Sequence, residues 1–286
     1  MSQPQTAEPQ PVPATGPPAG LYLDLLKRCI TRFGFDEDLV PVVSNAKWKR
    51  QLWHRVNQVL DRKDIVVFRR SPFDPELRTE GGDWPARAES MIGLRRLDNL
   101  QGCIERALAD GTPGDVLEAG VWRGGASILA RGVLAAHGVT DRVVWVADSF
   151  QGLPKPDPAY PADATDEHST QPTLAVSIEQ VQANFGRYQL LDDQVRFLPG
   201  WFSDTLPTAP IEKLAVLRAD GDMYGSTMDV LNALYPKVSV GGFVIIDDYG
   251  AVPACQAATD DYRAEHGITE PMEKIDWTGV FWQRQR

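Results

Sequence analysis

The sequence predicts an α/β fold, a mostly parallel sheet with crossover helices, an antiparallel hairpin added late at one edge, and accessory helices ahead of it. Three observations predict this. From about Val116 onward, short β-branched runs alternate with helical stretches, which is the pattern of parallel strands joined by helices. Several runs end on an acidic residue beside a glycine-bearing turn, as strand ends that face a ligand do. Near the C-terminus two runs stand only three residues apart, too close for a crossover, so they read as a hairpin.

In chain order, residues 1 to about 19 are rich in Pro, Gln, Ala and Thr, with too few large apolar side chains to offset the entropy of ordering them, and read as a disordered tail. Tyr22, Leu25, Leu26, Cys29, Ile30 and Phe33 recur at helical intervals, and Gly34 closes that stripe. A second amphipathic helix is expected from about Asn45 to Asp61, on Trp48, Leu52, Val56 and Leu60. These accessory elements, with a loop from Ser71 to Pro85 that could fold over a site, make an N-terminal region of residues 20–87. The main domain, residues 88–286, opens with a helix over Ala88 to Ala109 and a stop at Gly111-Thr112-Pro113-Gly114. Strands are expected at Val116 to Glu118, Val143 to Ala147, Val195 to Leu198, Leu214 to Arg218 and Phe243 to Ile246. Helices fall near Ala126 to His137, Ser177 to Tyr188 and Ser226 to Tyr235. The hairpin pairs Met272 to Asp276 with Val280 to Gln283.

At 286 residues the chain suits one large domain with decorations. A formal charge of -10 argues against nucleic acid and against anionic membranes, since both attract clustered Lys and Arg. No signal peptide and no apolar run of the ~18 residues that a membrane span needs is visible. Cys29, Cys103 and Cys255 have neither metal-ligand nor disulfide-framework spacing, which fits a cytoplasmic protein.

Three motifs carry chemistry. In VLEAGVWRGG (116–125), Glu118 ends a strand and Gly120, Gly124 and Gly125 let a cofactor approach a helix N-terminus. A dinucleotide would want Gly-x-Gly-x-x-Gly, whereas this turn has one fewer glycine in that register. Glu118 would repel a diphosphate but attract the ammonium or sulfonium of S-adenosylmethionine; a plain turn with a satisfied carboxylate is the other reading. In VVWVADSFQGLP (143–154), Asp148 ends the next strand, where it can accept two ribose hydroxyls or merely cap the turn. LRADGDMYGST (217–227) and GGFVIIDDYG (241–250) bring Asp220, Asp222, Asp247 and Asp248 to neighbouring strand ends. Such a cluster suits a hard divalent cation such as magnesium, or else some of these residues are caps and solvated turn residues. Adjacent strand residues point to opposite faces, so Asp247 and Asp248 reach one ion only if the strand has already opened into its turn.

With these motifs, SMIGLRRLDNL (90–100), VRFLPGWFSDTLP (195–207) and the ending IDWTGVFWQR (275–284), the chain from Leu21 to its end resembles the macrocin O-methyltransferase family of antibiotic pathways. The resemblance implies a Rossmann-like class I methyltransferase fold, S-adenosylmethionine as donor, and magnesium held by Asp220, Asp247 and Asp248, with Asp222 as general base. It also implies that Met91, Glu118, the turn at Gly120 and Trp122, Ser127, Asp148, Ser149, Ser177 and the turn from Phe202 to Asp204 line the donor. The implied acceptor is a hydroxyl on a small-molecule glycoside, and the implied assembly a homo-oligomer, dimer or tetramer. Departures are a longer segment from about Asp36 to Arg70, the proline-rich tail, and Ser90 where the family has Thr. These put the acceptor in question more than the chemistry. His168, in the loop from Lys155 to Pro172, either faces the acceptor or is a solvated loop histidine. Rival readings are methylation of a phenol, catechol or polyketide hydroxyl, a nicotinamide-dependent oxidoreductase, and a non-catalytic cofactor-binding partner.

Overall fold

A computed structural model describes residues 18–35, 37–41, 56, 60, 62, 63, 65 and 67–286. The expected tail through residue 17, and most of the helix expected from Asn45 to Asp61, lie outside the described residues. Helix α1 runs Pro18–Ile30, three residues ahead of the expected start at Leu21, and buries Leu23, Leu26 and Ile30. It packs on α4 (Gly125–Ala136) so closely that a Cβ at Gly132 would stand 2.4 Å from Leu26 Cδ2.

Two elements replace the loop expected over Ser71–Pro85. Strand β1 (Glu37–Pro41) pairs antiparallel with β2 (Phe68–Pro72), and a short helix α2 (Pro75–Glu80) follows. Asp74 caps α2 by accepting from Glu76 N and Leu77 N, Pro75 opens it, and Gly81 closes it in the left-handed conformation at φ 64°. The next helix, α3, spans Gly93–Ala109 rather than starting at Ala88. Its expected first turn runs outside the helix because Glu89 N and Ser90 N donate to Ile30 O, which draws this segment down to α1. Leu97, Leu100, Cys103, Ile104 and Ala107 form the buried face of α3.

The main sheet holds β3 (Asp115–Ala119), β4 (Val144–Asp148), β5 (Val195–Pro199), β6 (Leu214–Ala219), β7 (Val238–Ile246), β8 (Glu273–Lys274) and β9 (Val280–Gln283). Their order is β5-β4-β3-β6-β7-β9-β8. The first five strands are parallel, and β9 runs antiparallel to both β7 and β8. This is the parallel sheet with a late antiparallel edge that the sequence predicts. Every residue of β6 is buried, as a central strand covered on both faces must be. One face packs α1, α3 and α4 around Ile128, Leu129, Val133 and Val216. The other packs α7 (Tyr224–Leu234) and α8 (Pro253–Glu265) around Leu217, Leu231, Tyr262 and Trp282. Each fully buried aliphatic or aromatic side chain contributes roughly 1.5–3 kcal/mol. Helices α5 (Ile178–Arg187) and α6 (Phe202–Thr205) complete the crossovers. Among the described residues no helix is long and apolar enough to cross a membrane. Cys29, Cys103 and Cys255 are unpaired.

Candidate active site

Strand β3 lies between β4 and β6, so the chain leaves it in both directions and a crevice opens at the carboxyl ends. There a cleft of about 470 Å³ is lined from β3, β4, β6 and β7 and roofed by the segment at Glu89 to Ile92.

One half of the cleft is built by the first two motifs. Gly120 stands at φ 87°, and a Cβ on it would meet Asp220 O at 1.8 Å, so this turn admits only glycine and lies directly against the third motif. Trp122 also takes a positive φ, 47°, and its Nε1 donates to Thr173 O at 2.8 Å. Asp148 accepts from Val121 N at 2.8 Å and Phe150 N at 2.7 Å, tying the ends of β3 and β4 together. Burial pushes its carboxyl above the usual range, against the lowering effect of those amides. Glu118 is buried; its Oε1 accepts from Arg218 Nη1 at 2.7 Å and its Oε2 from the Ser127 hydroxyl. Burial raises it to about 7, and Arg218 and Ser127 hold it down from going further.

Met91, Glu118, Gly120, Trp122, Asp148, Ser149 and Phe202 all line the cleft. Ser127 acts behind Glu118. Ser177 stands apart, lining a neighbouring groove, and its hydroxyl caps α5 by accepting from Gln180 N at 3.3 Å. Asp204 is exposed and outside the lining.

The other half of the cleft is acidic. Carboxylate oxygens of Asp220, Asp222 and Asp248 lie within 4.8 Å of one another. Asp222 sits at φ 54°, a left-handed conformation unusual for a residue other than glycine, and its N–H donates to Asp248 Oδ2 at 3.3 Å. Burial and then the charge of Asp220 push Asp222 up to about 7. Burial, Asp222 and Asp220 push Asp248 well above its ordinary value.

Asp247 does not join this triad, which differs from the expected set of Asp220, Asp247 and Asp248. It follows directly on β7, and Arg96 Nη1 and Arg218 Nη2 each donate to it. These guanidiniums hold its carboxyl below the usual range despite its burial, which alone would raise it.

Pattern reading missed both arginines. Arg218 is 1% exposed, and its Nη1 serves Glu118 and Asp220 (2.9 Å) while its Nη2 serves Asp247, so one guanidinium braces both halves of the cleft. Arg96 joins Asp247 to Asp276, with Nε 2.9 Å from Asp276 Oδ2. The two guanidiniums thus pair with Glu118, Asp220, Asp247 and Asp276, while Asp222 and Asp248 have no arginine partner among the described residues. His168 does line the cleft, with Nδ1 2.6 Å from Asp166 Oδ2. Its burial lowers the ring's pKa, but the Asp166 hydrogen bond and the charge of Asp222 outweigh that and raise it.

The chain matches the family model described as Macrocin-O-methyltransferase (TylF) over residues 19–284. It is 51% identical to the mycinamicin III 3''-O-methyltransferase of Micromonospora griseorubida over 276 residues, covering 95% of this chain and 98% of that one. It is 58% identical over 267 residues to the 8-demethyl-8-(2,3-dimethoxy-alpha-L-rhamnosyl)-tetracenomycin-C 4'-O-methyltransferase of Streptomyces olivaceus, covering 92% of each. Against the demethyldecarbamoylnovobiocin O-methyltransferase of Streptomyces niveus the identity is 57% over 226 residues, 78% of this chain and 86% of that one. Among solved structures, the O-methyltransferase NovP superposes with a TM-score of 0.81 at 47% identity, over 94% of this chain and 100% of that chain. The chain therefore belongs to the macrocin O-methyltransferase family, an O-methyltransferase enzyme on the class I methyltransferase fold.

Proposed function

We propose that this enzyme moves the methyl group of S-adenosylmethionine to a hydroxyl on the sugar of a glycosylated, macrolide-like natural product, with magnesium required. The observation that carries this reading is the acidic triad of Asp220, Asp222 and Asp248 opening into the same cleft as Gly120 and Asp148. The relatives' names, each a methyltransferase of an antibiotic and one of a rhamnosyl group, support the glycoside. Unpaired cysteines fit a cytoplasmic setting.

The residues fit both groups. For the donor, Gly120, Glu118, Asp148, Trp201 and Phe202 line one cleft, which combines a turn backbone, two carboxyls and two aromatic rings. The donor supplies an electrophilic methyl carbon with sulfur as leaving group. For the cation, hard oxygen donors that repel one another and lack compensating charge suit magnesium. Asp220 and Asp248 would hold it, and Asp247, which also lines the cleft, keeps lone pairs beyond those used by its two guanidiniums. Magnesium, when bound, would lower the pKa of a coordinated hydroxyl, which otherwise lies near that of water at ~15.7.

Asp222 takes the acceptor proton on a carboxylate oxygen. It belongs to the triad, lines the cleft, and is held near neutrality by burial and the charge of Asp220, where a base is best poised. Arg218 keeps the floor of the cleft in register, because Glu118 on the donor side and Asp220 on the acceptor side share its Nη1.

Mass spectrometry of a panel of glycosides and their aglycones tests this. Glycosides alone are expected to gain one methyl group from S-adenosylmethionine, and the gain should vanish with a chelator. Methylated aglycones, or a gain that survives chelation, would contradict the proposal.

A further inference from the structure

The cleft that holds Asp222 is also lined by two exposed tryptophans. Trp84 is 53% exposed and Trp277 50% exposed, and among the exposed large apolar side chains of the described residues these are the two that line the cleft. Tryptophan is normally well covered, so a pair left bare at a cleft rim marks a surface shaped for something else to cover.

Trp277 is held in place. Its Nε1 donates to Glu80 O at 2.8 Å, which pins the far edge of the ring to the end of α2. Its hairpin tip is set by Asp276, whose Oδ1 accepts from Thr278 N and Gly279 N at 2.9 and 2.8 Å and whose Oδ2 meets Arg96. Thr278 Oγ1 donates to Asp247 O at 2.9 Å, and Gly250 N donates to Thr278 O at 2.8 Å. The tip that carries Trp277 is therefore bonded to the turn that carries Asp247 and Asp248. Trp84 follows Asp83, which Arg78 grips with Nε at 2.8 and 2.9 Å, so its loop is tethered as well. The Trp277 ring therefore needs little ordering when a ligand arrives.

We propose that Trp277, with Trp84 on the same cleft, is the subsite for the sugar ring bearing the acceptor hydroxyl. A pyranose has a face of C–H groups and an edge of hydroxyls. This cleft offers an aromatic face and carboxylates, so one ring can stack on Trp277 and turn its hydroxyl edge toward Asp222 and Asp248. A flat apolar aglycone would use the tryptophans but leave the carboxylates without partners. The inference rests on the reading of the cleft as a methyl-transfer site for a glycoside.

The test is saturation-transfer NMR with methyl α-L-rhamnopyranoside, and separately with phenol as an aglycone surrogate, in the presence of S-adenosylhomocysteine and magnesium. The variants are Trp277→Ala, Trp277→Phe and Trp84→Ala, each checked for fold by circular dichroism and for S-adenosylhomocysteine affinity by calorimetry. Expected are ring C–H signals from the rhamnoside with the parent enzyme, a loss of about fivefold or more in Trp277→Ala, a smaller loss in Trp84→Ala, and substantial retention in Trp277→Phe. S-adenosylhomocysteine affinity should stay within about twofold throughout. A rhamnoside signal that is absent in the parent enzyme or indifferent to Trp277, or a Trp277-dependent signal from phenol instead, overturns the subsite while leaving methyl transfer standing. A parent enzyme that does not bind S-adenosylhomocysteine overturns the functional reading and this inference with it.

Discussion

Asp222→Asn is expected to lower kcat by about a thousandfold, the scale of losing a positioned general base. The amide keeps the shape of the side chain but cannot accept the acceptor's proton. Because the proposed role of Asp222 is toward the acceptor, affinity for S-adenosylhomocysteine should be nearly unchanged, which calorimetry would check. Loss of that affinity would assign Asp222 a structural role. The titration of the cluster gives a second handle. Burial and the charge of Asp220 raise Asp222 from 3.8 to about 7 in the metal-free fold. A carboxyl raised on folding holds a proton that the unfolded chain releases, so its contribution favours the fold at low pH and is lost as pH climbs toward 7. Magnesium, held there as proposed, would relieve the repulsion that remains above that range. Its addition should therefore raise the melting temperature more at about pH 8 than at about pH 5.

Arg218→Met is expected to destabilise the fold by about 3–5 kcal/mol, measured by denaturant unfolding. The guanidinium is 1% exposed and pairs with Glu118, Asp220 and Asp247, and Glu118 and Asp247 are themselves buried. Arg218→Lys should recover only part of the loss, since one ammonium cannot occupy both Nη positions. An exposed arginine such as Arg95 serves as the control, and its replacement by Met should stay below about 0.5 kcal/mol. A loss below about 1 kcal/mol for Arg218→Met would mean that the three carboxyls are neutral or otherwise compensated in the fold.

The parts of the site that the sequence reveals are those whose signal is local. Glu118, Asp148 and Asp220 each follow an apolar run, so the strand rule alone places them at one end of the sheet. Arg218 and Arg96 carry no such signal. Their partner Asp247 is 29 residues from one and 151 from the other, and nothing in spacing links a strand arginine or a helix arginine to it. The separation of Asp247 from Asp248 is anticipated by strand alternation, but what Asp247 turns toward is not. Strands β1 and β2 escape because each ends in proline and their pairing spans a long insertion. Helix α2 is different. Asp74, Pro75 and Gly81 spell its cap, start and stop, and the signal is overlooked because the helix has only six residues within a Pro- and Gly-rich stretch. Helix α8 buries Cys255, Ala258, Thr259 and Tyr262, small or polar residues whose helical spacing a hydrophobic count does not register.

The account stands on a divalent cation seated between Asp220 and Asp248, next to the methyl donor. Crystals grown with manganese in place of magnesium and with S-adenosylhomocysteine, measured at the manganese absorption edge, test it most directly. The predicted result is one anomalous peak within coordination distance of Asp220 and Asp248, facing a ligand whose sulfur lies on the Gly120 and Asp148 side. Carboxylates bare of manganese beside a bound ligand, or a peak elsewhere in the molecule, would contradict it.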